Sequence, residues 1–280
     1  MQKIRVIAIV GPTASGKSDV AFRVAKAVGG EVLCVDSRTV YRGMDVGTAK
    51  GSGWGTDLVN PDEAFTVADF VEYAKVKIDE IVSWGKVPVL VGGTGLYFRA
   101  LLDGLTLADV APNEVLRAEW EGKSTDELVE MLRVQDANAV NTIDTKNRRR
   151  VLRALEIVTA TGAPLSERQQ KVATPYDVCW IGVDVPTDEL FRRIDARVDE
   201  MIANGLEAEV RVLYEKYGGS PRAMSGIGYH QFVEYFEGKT TLDAAIARIK
   251  TDTRSYAKRQ RTWFKADKRI QWVTSLRSHE

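Results

Sequence analysis

Eight residues near the start of the chain, Gly11-Pro12-Thr13-Ala14-Ser15-Gly16-Lys17-Ser18, have the types and spacing that hold a diphosphate. The run fits the pattern Gly-x-x-x-x-Gly-Lys-Ser throughout. Its glycines let the backbone curl so that several N–H groups converge on one anion. The positive end of a following helix adds to that field. Lys17 supplies a full charge beside the terminal phosphate, and the Ser18 hydroxyl is placed to ligate Mg²⁺. The loop does not say which compound carries the phosphates. A nucleotide hydrolase would offer an acid at the end of a second apolar strand. Here Val87 to Val91 runs instead into Gly92-Gly93-Thr94-Gly95. The strand-end acid that remains is Asp36, followed by Ser37. Three readings of it stay open on position alone: a metal-side acid, a general base beside the phosphates, or a turn residue.

Two basic segments suggest a polyanion larger than a nucleotide. Lys146-Asn147-Arg148-Arg149-Arg150-Val151-Leu152-Arg153 places Arg149 and Arg150 at helical spacing from Arg153. Near the C-terminus, Arg254, Lys258, Arg261 and Lys265 form one helical stripe, with Tyr256, Trp263 and Phe264 off it. A solvated helix face is the commonest meaning of either segment taken alone, and core is the commoner place for the aromatics. The bulk charge names no partner, because 39 acids balance 39 bases.

The elements that must position these residues follow from periodicity. Ile4 to Val10 reads as a buried parallel strand, followed by the phosphate loop and a helix over Asp19 to Val28 that Gly29-Gly30 closes. Val32 to Val35 is a second strand, Phe70 to Trp84 a helix and Val87 to Val91 a third strand. From Asn113 to about Pro175 the patterns are helical, including a short helix with Val129, Leu132 and Val134 and another with Val151, Leu155 and Val158. A strand returns at Val178 to Val185. Helices follow over Leu190 to Ile202, Leu206 to Tyr217 and Ile246 to Phe264, then a last strand at Ile270 to Val273. The expectation is an α/β fold: a P-loop NTPase-like parallel sheet core with helices on both faces and an inserted all-helical subdomain. Residues 1–111 and 176–280 form the core, and 112–175 the insertion.

Cys34 and Cys179 lie in apolar runs and read as buried, reduced thiols of a cytoplasmic protein. Two histidines, His230 and His279, and no Cys-x-x-Cys spacing argue against structural zinc. Neither a signal peptide nor an apolar run of membrane-spanning length is visible.

Taken together these residues resemble the tRNA dimethylallyltransferase family, the IPP transferases. The likeness covers nearly the whole chain: the phosphate loop; Asp36-Ser37-Arg38-Thr39-Val40-Tyr41-Arg42-Gly43-Met44-Asp45-Val46-Gly47-Thr48-Ala49-Lys50; Gly92 to Tyr97; Arg150 to Glu156; Ile227-Gly228-Tyr229; and Thr253 to Phe264. The resemblance implies transfer of a dimethylallyl group from dimethylallyl diphosphate to N6 of the adenosine 3′-adjacent to the anticodon of tRNA. It implies Asp36 as the base, with Lys17 and Thr94 at the reacting centre and Mg²⁺ on Ser18. Asp36, Ser37, Arg38, Thr39 and Thr94 would grip the target base and its neighbours. Arg117, Arg149, Arg150 and Arg153 would contact tRNA from the insertion, and Lys258 and Arg259 from the C-terminal helix. The target adenine must leave its stack, so a channel between core and insertion is expected. A monomer without membrane attachment is expected.

The sequence departs from the family pattern at four places. Thr39 stands where glutamine is usual and Gly51 where proline is common. Trp54-Gly55 replaces a histidine-bearing stretch, and the region from Pro112 to Lys146 is short. Two other enzymes fit less well. A prenyltransferase of free adenine nucleotides needs no long basic track, and a P-loop nucleotide kinase or NTPase needs an acid where Gly92 stands. A non-enzymatic RNA-binding module would leave the phosphate loop without use.

Overall fold

The protein is described by a computed structural model that covers residues 3–105, 110, 113–168 and 172–274. The boundary read at Pro112 lies outside these residues, as does His279. Two compact units form, one from Met1–Leu102 with Pro175–Glu280, the other Asp103–Thr174.

The first unit is built on a parallel sheet in the order β2-β3-β1-β4-β5. Its strands are β1 (Ile4–Val10), β2 (Gly30–Val35), β3 (Val87–Gly92), β4 (Tyr176–Asp184) and β5 (Gln271–Thr274). The helices of this unit are α1 (Lys17–Val28), α2 (Val67–Ser83) and α3 (Gly95–Leu102), then α9 (Thr187–Ala203), α10 (Leu206–Tyr217), α11 (Tyr229–Phe236) and α12 (Leu242–Lys265). Side chains alternate faces along a strand, and both faces of this sheet are covered. Val6, Ala8, Val10, Leu33, Val35 and Leu90 join one apolar cluster with Phe70, Ala74 and Phe98 of α2 and α3. Ile7, Ile9, Val32, Val89 and Val91 join another with Ala21 and Ala25 of α1. That double burial is why the strands read as continuous apolar runs. Gly29 ends α1 in the left-handed region at φ 64°, where a side chain would be strained, while Gly30 already belongs to β2.

The cysteines differ from the expectation. Cys179 is exposed and Cys34 half-buried. Cys179 lies on β4 outside the stretch Ile181 to Asp184 that pairs with β5 among the described residues.

The second unit is helical: α4 (Glu114–Trp120), α5 (Thr125–Gln135), α6 (Ala137–Thr142), α7 (Arg148–Thr161) and α8 (Leu165–Arg168). Its core joins Trp120, Leu128, Leu132, Val151, Leu155 and Val158. Val134 belongs to α5 but faces solvent, 87% exposed. Among the described residues no helix is long and apolar enough to cross a membrane.

Candidate active site

The phosphate loop runs from the end of β1 into α1, and its shape is forced by its neighbours. A Cβ on Gly11 would lie 2.3 Å from the carbonyl oxygen of Val183, so nothing larger fits. Gly16 sits at φ 87° as the N-cap of α1. Ala14 takes φ 61° without being glycine, a conformation that persists only where the surroundings over-determine it. Arg197 of α9 donates to Thr13 Oγ1 at 3.4 Å. The Thr13 N–H donates to Gln260 Oε1 of α12 at 2.8 Å. Ser15 Oγ is buried inside the loop with no hydrogen-bond partner among the described residues.

Lys17 leads off α1, and its ammonium donates to the Pro12 carbonyl at 3.1 Å. Burial lowers its pKa to about 8; Arg197 pushes in the same direction and Asp36 partly offsets both. Burial likewise lowers Arg197, with Asp36 and Glu200 opposing. Two desolvated cations beside one carboxylate leave net positive charge facing the loop. Such a cluster is costly unless an anion joins it.

Asp36 ends β2. Its Oδ1 accepts the N–H groups of Arg38 at 2.8 Å and Thr39 at 3.4 Å, a tight turn that aims the carboxylate. The next residue, Ser37, donates its N–H to Thr94 Oγ1 at 3.2 Å. Thr94 follows the glycines that close β3, and the structure explains those glycines. A Cβ on Gly92 would lie 1.9 Å from the Val35 carbonyl oxygen, and one on Gly93 would lie 2.0 Å from Gln260 Nε2. The turn is wedged between β2 and α12, which leaves no room for a strand-end acid there.

One cavity of about 400 Å³ unites these parts. Lys17, Ser18, Asp36, Arg197, Tyr256 and Gln260 line it. Its apolar wall includes Val198, Met201, Ile227 and Ile249. Burial raises the Tyr256 phenol to about 12; Asp36 adds to this, while Arg38 and Arg259 oppose it. Arg197, Tyr256 and Gln260 were not singled out as site residues from the sequence, although Tyr256 and Gln260 fall in its most specific C-terminal block. The helical spacing of Tyr256 and Gln260, four apart, would have marked a shared face.

Two residues of the Asp36 block take unexpected places. The Arg38 guanidinium donates to the carbonyls of Arg222 at 2.7 Å and Ala223 at 3.2 Å, and to Ser225 Oγ at 3.3 Å. It thereby ties the Asp36 turn to the segment that brings Ile227 and Tyr229 to the cavity. Thr39 Oγ1 is buried without a partner among the described residues. Farther along, Glu209 accepts the N–H groups of Asp45, Val46 and Gly47 at 2.9, 2.7 and 3.1 Å and the Tyr229 hydroxyl at 2.7 Å. Lys50 pairs with Asp45 and Asp57. These contacts shape the loop whose Gly47 and Thr48 line the cavity.

The basic segments divide into cations already paired and cations presented outward. In the helical unit, Glu156 is fully buried and takes Arg117 Nε at 2.6 Å and Arg153 Nη1 at 3.3 Å. Burial alone would raise its pKa, but Arg117, the Asn113 N–H and Arg153 hold it below the ordinary carboxylate value. Arg148 donates to the carbonyls of Trp120, Glu121 and Lys123. Arg149 and Arg150 are exposed in the first turn of α7, where the helix dipole disfavours cations. On α12 most of the stripe is already paired within the protein. Arg254 forms a two-pronged pair with Asp195. Arg261 holds Asp184 at 2.7 Å, and Lys265 approaches the same carboxylate at 3.4 Å. Lys258 and Arg259 are exposed, and Arg259 lines the cavity. Phe264 is core; Tyr256 is cavity wall.

Comparison with known proteins gives one family match, two relatives and two solved structures. The family model described as IPP transferase matches residues 39–267. A protein named tRNA dimethylallyltransferase from Roseiflexus sp. (strain RS-1) is 45% identical over 94% of this chain and 90% of its own. The tRNA dimethylallyltransferase 2 of Geotalea uraniireducens is 43% identical over 97% and 92%. Among solved structures, the tRNA isopentenylpyrophosphate transferase of Bacillus halodurans is 38% identical with a TM-score of 0.73, covering 97% of this chain and 90% of that one. A eukaryotic dimethylallyltransferase acting on tRNA is 28% identical with a TM-score of 0.78, covering 97% and 74%.

Proposed function

The chain belongs to the IPP transferase family of tRNA dimethylallyltransferases, and from that premise we propose how its own residues carry out prenyl transfer to tRNA. The group transferred is dimethylallyl, taken from dimethylallyl diphosphate, and the acceptor is N6 of the adenosine 3′-adjacent to the anticodon. The carrying observation is that one cavity holds both halves of the chemistry: Lys17 and Arg197 at the phosphate loop, and the Asp36 carboxylate beside them.

The N6 lone pair attacks C1 of the donor, the C1–O bond breaks, and diphosphate leaves with the electron pair. An adenine amine is a weak nucleophile because its lone pair is delocalised into the ring. Asp36 takes the N6 proton as the N–C bond forms. The amides at the start of α1, Lys17 and Arg197 stabilise the charge that grows on the diphosphate. Thr94 and Ser37 steady the Asp36 turn against the reacting centre, and Thr39 lines the same cavity. Val198, Met201, Ile227 and Ile249 provide the apolar wall for the allylic tail.

The donor set suits Mg²⁺. Ser18 is a hard oxygen donor on this cavity, and no group of three His, Cys, Asp or Glu among the described residues could hold a metal by itself. That is the pattern for an ion held by substrate phosphates, water and one or two protein oxygens. Bound there, Mg²⁺ would neutralise part of the diphosphate charge. The protein acts as a cytoplasmic monomer in this reading.

Incubation with dimethylallyl diphosphate, Mg²⁺ and an anticodon stem-loop should yield prenylated RNA and free diphosphate. Prenylation of AMP but not of the stem-loop would overturn the reading, and ATP consumption without prenyl transfer would favour a kinase. The outward cations give a second expected outcome. Arg149→Ala and Arg150→Ala should each weaken RNA binding across sequences and reduce the slope of log Kd against log salt by about 1. Arg254→Ala should leave that slope unchanged. Fluorescence anisotropy at several salt concentrations measures all three.

A further inference from the structure

The two loops that carry the chemistry belong to different strands, β1 and β3, and one side chain joins them. Gln260 of α12 is 5% exposed and uses both ends of its amide. Oε1 accepts the Thr13 N–H at 2.8 Å, and Nε2 donates to the Gly93 carbonyl at 3.0 Å. The orientation is unambiguous. Reversing the amide would set its NH₂ against an N–H and its oxygen against a carbonyl. Gly93 has no Cβ because Gln260 Nε2 occupies that place, 2.0 Å from where it would be.

We propose that Gln260 is a positioning residue for the transfer, holding the phosphate loop and the Gly93–Thr94 turn in one fixed arrangement. The inference rests on the reaction assigned above. Gln260 touches neither reacting atom. It consumes the Thr13 amide rather than leaving it for the diphosphate, and so braces the left-handed Ala14 next to it. On the other side it sets the turn whose Thr94 accepts from Ser37, next to Asp36. Tyr256 lies one helical turn earlier on α12 and lines the same cavity. Leaving group and base therefore keep their relative placement through α12. A displacement near 1 Å can cost roughly 100-fold in rate.

Glutamate at 260 distinguishes positioning from packing. As a carboxylate it can still accept from Thr13, but its second oxygen faces the Gly93 carbonyl with no proton between them. Burial beside that carbonyl raises its pKa. Once protonated, the acid accepts from Thr13 and donates to Gly93 as the amide does. Gln260→Met should lower kcat by about 10–100-fold at every pH, with KM for dimethylallyl diphosphate within roughly 3-fold of the wild type. Gln260→Glu should match Gln260→Met near pH 8 and exceed it several-fold near pH 6. Near-UV circular dichroism checks that both variants are folded. A Gln260→Met kcat within 2-fold of wild type overturns the proposal. So does an effect confined to KM, or a Gln260→Glu activity that keeps a constant ratio to Gln260→Met across pH. If wild-type protein fails to prenylate the stem-loop, the reaction is wrong, and hydrogen exchange decides Gln260 separately. In Gln260→Met, peptides spanning 11–18 and 92–97 should both exchange faster than in the wild type. Unchanged exchange in either overturns the proposal.

Discussion

Asp36→Asn should lower kcat for stem-loop prenylation by about 10²–10⁴-fold, the range for loss of a general base, while RNA affinity stays within roughly 3-fold. The substitution isolates proton acceptance from geometry. Asparagine has the shape of aspartate, and its oxygen can still receive the N–H groups of Arg38 and Thr39 that form the turn. What the amide lacks is a basic oxygen. Oδ1 accepts both backbone groups, so proton acceptance in the proposed reaction would fall to the second carboxylate oxygen. Single-turnover rates, with anisotropy for RNA binding, separate the two effects. An unchanged rate would remove Asp36 as base, and a rate lost only through weaker RNA binding would make it a recognition residue.

Lys17→Ala should lower kcat/KM for dimethylallyl diphosphate by about 10²–10³-fold, the cost of deleting a preorganised charge at a developing anion. It should also raise stability near neutral pH. The Lys17 pKa is lowered to about 8 from 10.5, because burial and Arg197 disfavour its charged form. Between those values the unfolded chain binds more protons than the folded one, so this residue makes stability rise with pH through that window. Below it the folded state carries the whole cost of the buried ammonium. The Tm advantage of Lys17→Ala should therefore be largest below about pH 8 and shrink as pH rises toward 10.5. In the wild type, diphosphate affinity should fall as pH rises through about 8, since the free enzyme loses the Lys17 proton there. Calorimetry should detect proton uptake on binding near that pH. A pH-independent affinity would show that Lys17 stays charged and that its burial is compensated elsewhere. The gain in stability and the loss of activity share one cause: the site stores cations that only an anion relieves.

The structure also separates cations that look alike in the chain. Arg148, Arg149 and Arg150 are consecutive, yet Arg148 reaches the carbonyls that end α4, while Arg149 and Arg150 are exposed. Arg254 and Lys258 share a stripe by spacing. Arg254 meets Asp195, whereas the Lys258 ammonium lies over the Phe191 ring at 5.1 Å. A helical wheel ranks these residues equally, because it carries no information about the facing helix.

The sequence by itself determined what local chemistry can determine. Glycine spacing and Lys17-Ser18 specify a phosphate loop because successive backbone amides make the cradle. Continuous apolar runs specify parallel strands because helices cover both faces of the sheet. Asp36 and Thr94 were legible as strand-end residues within recognisable blocks. Tertiary structure decided how those pieces meet. Thr13 and Gln260 are 247 positions apart and share a hydrogen bond, and Arg197 reaches Thr13 from 184 positions away. Neither contact leaves a periodic trace, since only the crossing of α9 and α12 over the strand ends creates it. Charge burial has the same origin: Lys17 is an ordinary lysine until the folded chain sets Arg197 beside it and removes its water.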